Sequence, residues 1–185
     1  MDLTVIILAG GQSSRMGADK AFITYNGKPL IRYSIDLAVC YTKNIIISTN
    51  QDQFRDLGFP VVTDIYPVNA PLAGIHAGLK FSKTDWTLVL TCDMPNVSSQ
   101  LIDYLISKLE GKAKLFLPAH DGFVEPLCGF YHRGLIAVIE SNFMKNKLSP
   151  LDLLEVVPHR IIQMEDVLDE NLSFLFKNIN EQKDL

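Results

Sequence analysis

Cysteine is scarce in this 185-residue chain: Cys40, Cys92 and Cys128 are odd in number and far apart, which argues against a disulfide framework and against a C-x-x-C metal site. All three sit in apolar neighbourhoods and read as buried thiols. His76, His120, His132 and His159 are scattered without metal-ligand spacing, so none is expected to be catalytic. Basic charge is not in excess either. Lys and Arg total 17 against 21 Asp and Glu, a formal net charge of −4, contrary to the basic field of a general nucleic-acid binder. Long apolar runs are missing: Val5-Ile6-Ile7-Leu8-Ala9 lacks a basic leader and is too short for a signal peptide or a membrane span. A cytoplasmic location is the default that follows. No low-complexity or linker-like stretch interrupts the chain, and 48% apolar with 21% charged residues is ordinary for a globular protein. A single domain over residues 1–185 is expected, burying about 70% of its unfolded surface.

What the chain does contain is a glycine-rich turn after that apolar run: Leu8-Ala9-Gly10-Gly11-Gln12-Ser13-Ser14-Arg15-Met16-Gly17-Ala18-Asp19-Lys20. Glycine lets a backbone approach a polyphosphate closely, and Arg15 and Lys20 supply charge to neutralise it. Spacing excludes two familiar phosphate loops. Gly17 is followed by Ala18-Asp19-Lys20 rather than Lys-Ser/Thr, and adjacent Gly10 and Gly11 do not make G-x-G-x-x-G. A Gly-Gly pair taken alone is equally a plain strand-to-helix turn with solvated Arg15 and Lys20.

Apolar, β-branched runs predict strands over residues 4–9, 44–48, 61–63, 87–91, 114–118, 124–131 and 161–164. Helices are expected over 29–39, 51–57, 74–81, 98–108, 135–144 and 151–156, with Pro29 in a first turn and Ser98 as an N-cap. Alternating near-continuous apolar strands and helices indicate an α/β fold in which helices cover both faces of a largely parallel sheet. Ligands of such sheets lie beyond the carboxyl ends of the strands, where Gly10-Gly11, Asp64 and Asp93 all fall.

The pattern L-A-G-G-x-x-x-R-M-G-x-D-K resembles the signature of the molybdenum cofactor guanylyltransferases, within the MobA-like, pyrophosphate-releasing nucleotidyltransferases. The resemblance continues in order through Asn26-Gly27-Lys28-Pro29-Leu30, Pro71-Leu72-Ala73-Gly74, Cys92-Asp93-Met94-Pro95, Glu125-Pro126-Leu127 and Asn178-Ile179-Asn180. It implies a three-layer α/β/α, Rossmann-like nucleotidyltransferase fold with a mostly parallel sheet. It further implies a Mg²⁺-dependent transfer of GMP from GTP to the terminal phosphate of molybdopterin, and transient contact with proteins that deliver and accept that cofactor. The alternatives are a related nucleotidyltransferase using CTP or a sugar phosphate, and a non-catalytic nucleotide-binding module. Gly10 matches the guanylyl pattern, whereas the related cytidylyltransferases resemble L-A-A-G.

Such a transfer depends on positioning and charge stabilisation, and Mg²⁺ is commonly held by one or two carboxylates plus phosphates and water. Asp93 reads either as that ligand or as an Asx-turn residue before Pro95; the resemblance assigns it to both metal and nucleotide. Lys20 suits the triphosphate and Arg15 the leaving group, while Asp19 either pairs with Lys20 or is solvated. Backbone groups of Leu8, Ala9 and Gly10, with Gly11 beside them, are expected to select guanine. Asp64 matches a guanosine-contacting position, or is a strand-end cap. Gly74, Asn178 and Asn180 match positions tied to the second substrate or to catalysis, the two asparagines being alternatively a turn before a final helix. Two departures stand out: Ser48 replaces a nucleotide-contacting asparagine, with Asn50 two positions on, and Ala70 replaces a glycine whose backbone freedom the loop was expected to need. Lys145 and Lys147 are candidates for the pterin phosphate, or members of a solvated face.

Overall fold

The computed structural model describes residues 2–10, 19–164 and 172–180. The chain begins with β1 (Leu3–Leu8), followed after a 3₁₀ turn by a small hairpin of β2 (Thr24–Tyr25) and β3 (Lys28–Pro29). Asn26 and Gly27 between them both take positive φ, 45° and 88°, the turn that an Asn-Gly pair favours. There follow α1 (Leu30–Val39), β4 (Ile45–Ser48), β5 (Val61–Val62), α2 (Pro71–Phe81), β6 (Trp86–Thr91) and α3 (Ser99–Ser107). The last third contributes β7 (Leu115–His120), β8 (Phe123–Val124), β9 (Gly129–His132), α4 (Ile136–Met144), β10 (His159–Gln163) and the short α5 (Leu172–Leu175). No helix among the described residues is long and apolar enough to cross a membrane.

The main sheet runs β10-β7-β9-β6-β1-β4-β5, with β8 paired beside β7. β1 pairs in parallel with β4 and β6, and β4 with β5, whereas β9 is antiparallel to both neighbours. Side chains alternate across β1: Leu3, Val5 and Ile7 enter one core with Ile31, Ile35, Leu101 and Leu105 of α1 and α3. Ile6 and Leu8 enter the other with Leu72, Ile75 and Ile139 of α2 and α4. Period-two alternation on a sheet buried on both faces therefore generates the three-layer α/β/α arrangement.

Three expectations need correcting. The strand foreseen over 124–131 is split into β8 and β9 by a turn, in which the Glu125 amide donates to the Pro118 carbonyl (2.9 Å). Pro118 has no N–H for a ladder, and β9 pairs with β7 only at Leu115 and Phe116, before that proline. α2 starts at Pro71, three residues before the expected 74, because proline is suited to a first helical position. The short helices at Asp52–Leu57 and Pro150–Glu155 are 3₁₀, the second opened by a reciprocal Ser149–Asp152 capping box.

Candidate active site

The strand order reverses direction about β1, which has β4 on one side and β6 on the other, and this is where a crevice forms in an open α/β sheet. A cleft partly open to solvent lies there; Leu8, Gly10, Asp64, Gly74 and Asp93 all line it. Ala9 is buried beneath, while Gly11 and Arg15 lie outside the described residues. The Leu8 carbonyl accepts from the Cys92 amide (3.1 Å) and the Ala9 amide donates to the Ser48 carbonyl (3.0 Å). Those two backbone groups are committed to the sheet, and Gly10 is the residue of the turn that lines the cleft beyond them. A Cβ on Gly10 would meet no atom within 4 Å. Packing among the described residues therefore does not require glycine there; the space it leaves belongs to the cleft.

Asp93 stands just past β6, where the buried strand ends and its carboxylate reaches the cleft. Its Oδ1 accepts from the Thr91 hydroxyl (2.7 Å) and its Oδ2 from the Lys20 ammonium (2.8 Å). Lys20 Nζ also donates to Asn180 Oδ1 at 2.7 Å, bringing together residues 160 positions apart. The Ile179 amide donates to the Asp93 carbonyl (2.9 Å) and Ile179 is buried, which anchors this terminal segment; Asn178 is half-buried on it. Asp19 does not pair with Lys20 in this arrangement. One of its oxygens caps the Ala21 amide (3.0 Å) and the other accepts from Gln53 (2.8 Å).

Gly74 is where α2 crosses the sheet. An added Cβ would lie 2.8 Å from Ser48 Oγ and 3.1 Å from Leu8 Cδ2, and the Ser48 hydroxyl donates to the Gly74 carbonyl (3.1 Å). Ser48 lines the cleft as well, but it is buried and its hydroxyl proton is committed to the helix. Its neighbour Asn50 faces Asp64: Asn50 Nδ2 donates to Asp64 Oδ2 (2.7 Å) while Asn50 Oδ1 accepts from the Asp64 amide (3.0 Å). Ala70, at φ −150°, is extended, so its position needs no glycine.

The terminal segment is also tied to the end of β7. His120 is flanked by Asp121 Oδ2 at Nδ1 (3.2 Å) and Glu125 Oε1 at Nε2 (3.1 Å), and its ring stacks on Phe176 with centroids 4.5 Å apart. The Ser173 hydroxyl donates to Asp121 (2.8 Å). That bond, with the His120 contact second, holds the Asp121 carboxyl below the usual carboxylate range. Leu127, from the Glu125-Pro126-Leu127 turn, reaches the cleft wall. Lys145 and Lys147 do not line it; Lys147 pairs instead with Glu155.

Cys92 and Cys128 are buried as expected, but Cys40 is exposed at the end of α1. Burial pushes the Cys92 thiol well above its ordinary range and Cys128 to about 12, so neither supplies a thiolate near neutral pH. Thr91 and Asn69 also line the cleft, and sequence reasoning missed both. Thr91 carried a readable signal: a hydroxyl residue two positions before an aspartate at a strand end is placed to bond its carboxylate.

Comparison with known proteins agrees with this architecture. Residues 5–155 match the family described as MobA-like NTP transferase domain. The chain is 33% identical to a probable molybdenum cofactor guanylyltransferase of Flavobacterium johnsoniae, over 99% of this chain and 94% of the relative. It is 39% identical to the molybdenum cofactor guanylyltransferase of Vibrio atlanticus over 74% of this chain and 72% of that one. Among solved structures, molybdopterin-guanine dinucleotide biosynthesis protein A from Archaeoglobus fulgidus superposes with a TM-score of 0.82 at 23% identity, covering 98% of this chain and 94% of the other. In fold and in sequence, the chain belongs to the MobA-like NTP transferase domain family.

Proposed function

We propose that the chain transfers GMP from GTP to the terminal phosphate of molybdopterin and releases pyrophosphate. The observation that carries this reading is the convergence of Lys20, Asp93 and Asn180, from three distant segments, beside a cleft whose wall includes Gly10 and Asp64. The names of relatives such as the Vibrio atlanticus protein supply the substrate class.

In the reaction a phosphate oxygen of molybdopterin bonds to the α-phosphorus of GTP, and the bond from that phosphorus to the β-phosphate oxygen breaks. Charge accumulates on the departing pyrophosphate, and Lys20, an ammonium on a flexible stem at the cleft, is suited to receive it. Asn180 orients Lys20 through its side-chain carbonyl, and Arg15, by the motif, joins in holding the leaving group. The attacking phosphate monoester has a second pKa of about 6 and is already largely dianionic at neutral pH. No side chain need remove a proton, in keeping with histidines engaged in structural pairs.

The donor set at Asp93 fits Mg²⁺: a carboxylate at the cleft, fixed by Thr91, with substrate phosphates and water completing the shell. Mg²⁺ is the ion expected there because it keeps several waters and needs only one or two protein carboxylates beside substrate phosphates. When bound, the ion would neutralise phosphate oxygens. The test is pyrophosphate release by the purified chain with molybdopterin, Mg²⁺ and either GTP or CTP; release with GTP is expected, and release with CTP but not GTP overturns the reading.

A further inference from the structure

We infer that Asn50 is a positioning residue for nucleotide selection, holding the Asp64 carboxylate so that its second oxygen accepts from donor groups of the nucleoside. The inference rests on the guanylyltransferase reading and deepens it. Ser48, at the strand end where a nucleotide-contacting asparagine was expected, is buried and its hydroxyl is committed to the Gly74 carbonyl. Asn50 lies two residues further on, exposed, and lines the same cleft wall as Asp64.

The two bonds between Asn50 and Asp64 orient the amide unambiguously. Asn50 Oδ1 must accept, because the Asp64 backbone N–H opposite it can only donate; Nδ2 then faces Asp64 Oδ2. Turning the amide over would break both bonds. The carboxylate is thereby fixed before any ligand arrives, and a carboxylate is acceptor-only. It selects ligands with N–H or O–H groups at that point: the adjacent N1–H and 2-amino donors on the edge of guanine, or the ribose hydroxyls. Without Asn50 the Asp64 side chain must be ordered at each binding event, which weakens affinity without altering the reacting phosphates.

Calorimetric titration of the full chain with GDP, IDP and 2′-deoxy-GDP, without molybdopterin, tests this. Asn50→Ala should weaken GDP binding about tenfold, the size expected for one newly mobile side chain. It should raise the KM for GTP by a like factor and leave kcat nearly unchanged. In an Asp64→Asn background the same substitution should change little, since its effect passes through the carboxylate. A reduced preference for GDP over IDP in Asn50→Ala places the contact at the guanine edge; a reduced preference over 2′-deoxy-GDP places it at the ribose. Wild-type affinity in Asn50→Ala, an effect undiminished in the Asp64→Asn background, or both preferences retained overturns the role of Asn50. Failure of the wild-type chain to bind any of the three nucleotides overturns this inference, while the guanylyltransferase reading stands or falls separately on pyrophosphate release from GTP.

Discussion

Lys20 and Asp93, 73 positions apart, meet as a 2.8 Å ion pair whose side chains keep only 15% and 23% of their exposure. The pair joins the end of the glycine-rich loop to the end of β6, and Asn180 binds the same ammonium. Asp93 lines the cleft and both partners keep some solvent access, the setting expected of a pair that meets a ligand. Lys20→Ala should lower kcat on the order of 10²- to 10³-fold, the usual loss when a charge-stabilising donor is removed. Stability should fall by only about 1 kcal/mol, because partly exposed pairs contribute little. Steady-state kinetics beside thermal unfolding separate the two effects.

Thr91 holds Asp93 from the opposite side to Lys20. Thr91→Val keeps the shape and removes the hydroxyl donor, so the carboxylate loses its fixed orientation. The Mg²⁺ concentration giving half-maximal rate should rise several-fold in Thr91→Val, and Thr91→Ser should restore it. A Mg²⁺ titration at saturating GTP reads the change directly.

Gly74→Ala should destabilise the fold by about 1–3 kcal/mol, the ordinary range for overpacking. The new methyl would stand 2.8 Å from Ser48 Oγ. Combining it with Ser48→Ala should recover part of the loss and no more, since Leu8 Cδ2 still lies 3.1 Å away. Denaturant unfolding of the two single variants and the double variant measures that coupling.

Asp121 predicts an acid-sensitive attachment of the terminal segment. The Ser173 hydroxyl, followed by His120, favours its charged form, so its folded pKa is depressed. A depressed carboxyl contributes stability that is present above the unfolded value of about 3.9 and is lost as pH falls through the folded value. The difference in unfolding temperature between wild type and Asp121→Asn should therefore be steady near neutral pH and shrink progressively as pH falls below the unfolded value of about 3.9. Ser173→Ala should shrink it at neutral pH.

Much of this architecture was legible in the sequence because buried strands write themselves as β-branched runs, as in Ile45-Ile46-Ile47, and because Asp64 and Asp93 directly follow such runs. The failures have local causes. Val124 to Tyr131 looks continuously strand-like, yet Pro118 on the neighbouring strand cannot support an uninterrupted ladder. The β2–β3 hairpin went unread although Asn26-Gly27 is the strongest short turn signal available. Asp19 stayed ambiguous because its partners, the Ala21 amide and Gln53, emerge only once the loop is folded. Contacts such as Asn50 with Asp64 and Lys20 with Asn180 join segments that only the parallel sheet order brings together, and no local periodicity encodes them.

If this cleft moves the α-phosphate of GTP onto a pterin phosphate, the fate of that phosphorus reports the transfer itself. With GTP labelled at the α-phosphate, molybdopterin and Mg²⁺, the label should appear in a molybdopterin-guanine dinucleotide, and Asp93→Ala should abolish the transfer while remaining folded. Label that stays in GTP or GDP with the wild-type chain would rule out the transfer, and transfer undiminished in a folded Asp93→Ala variant would rule out the role of Asp93.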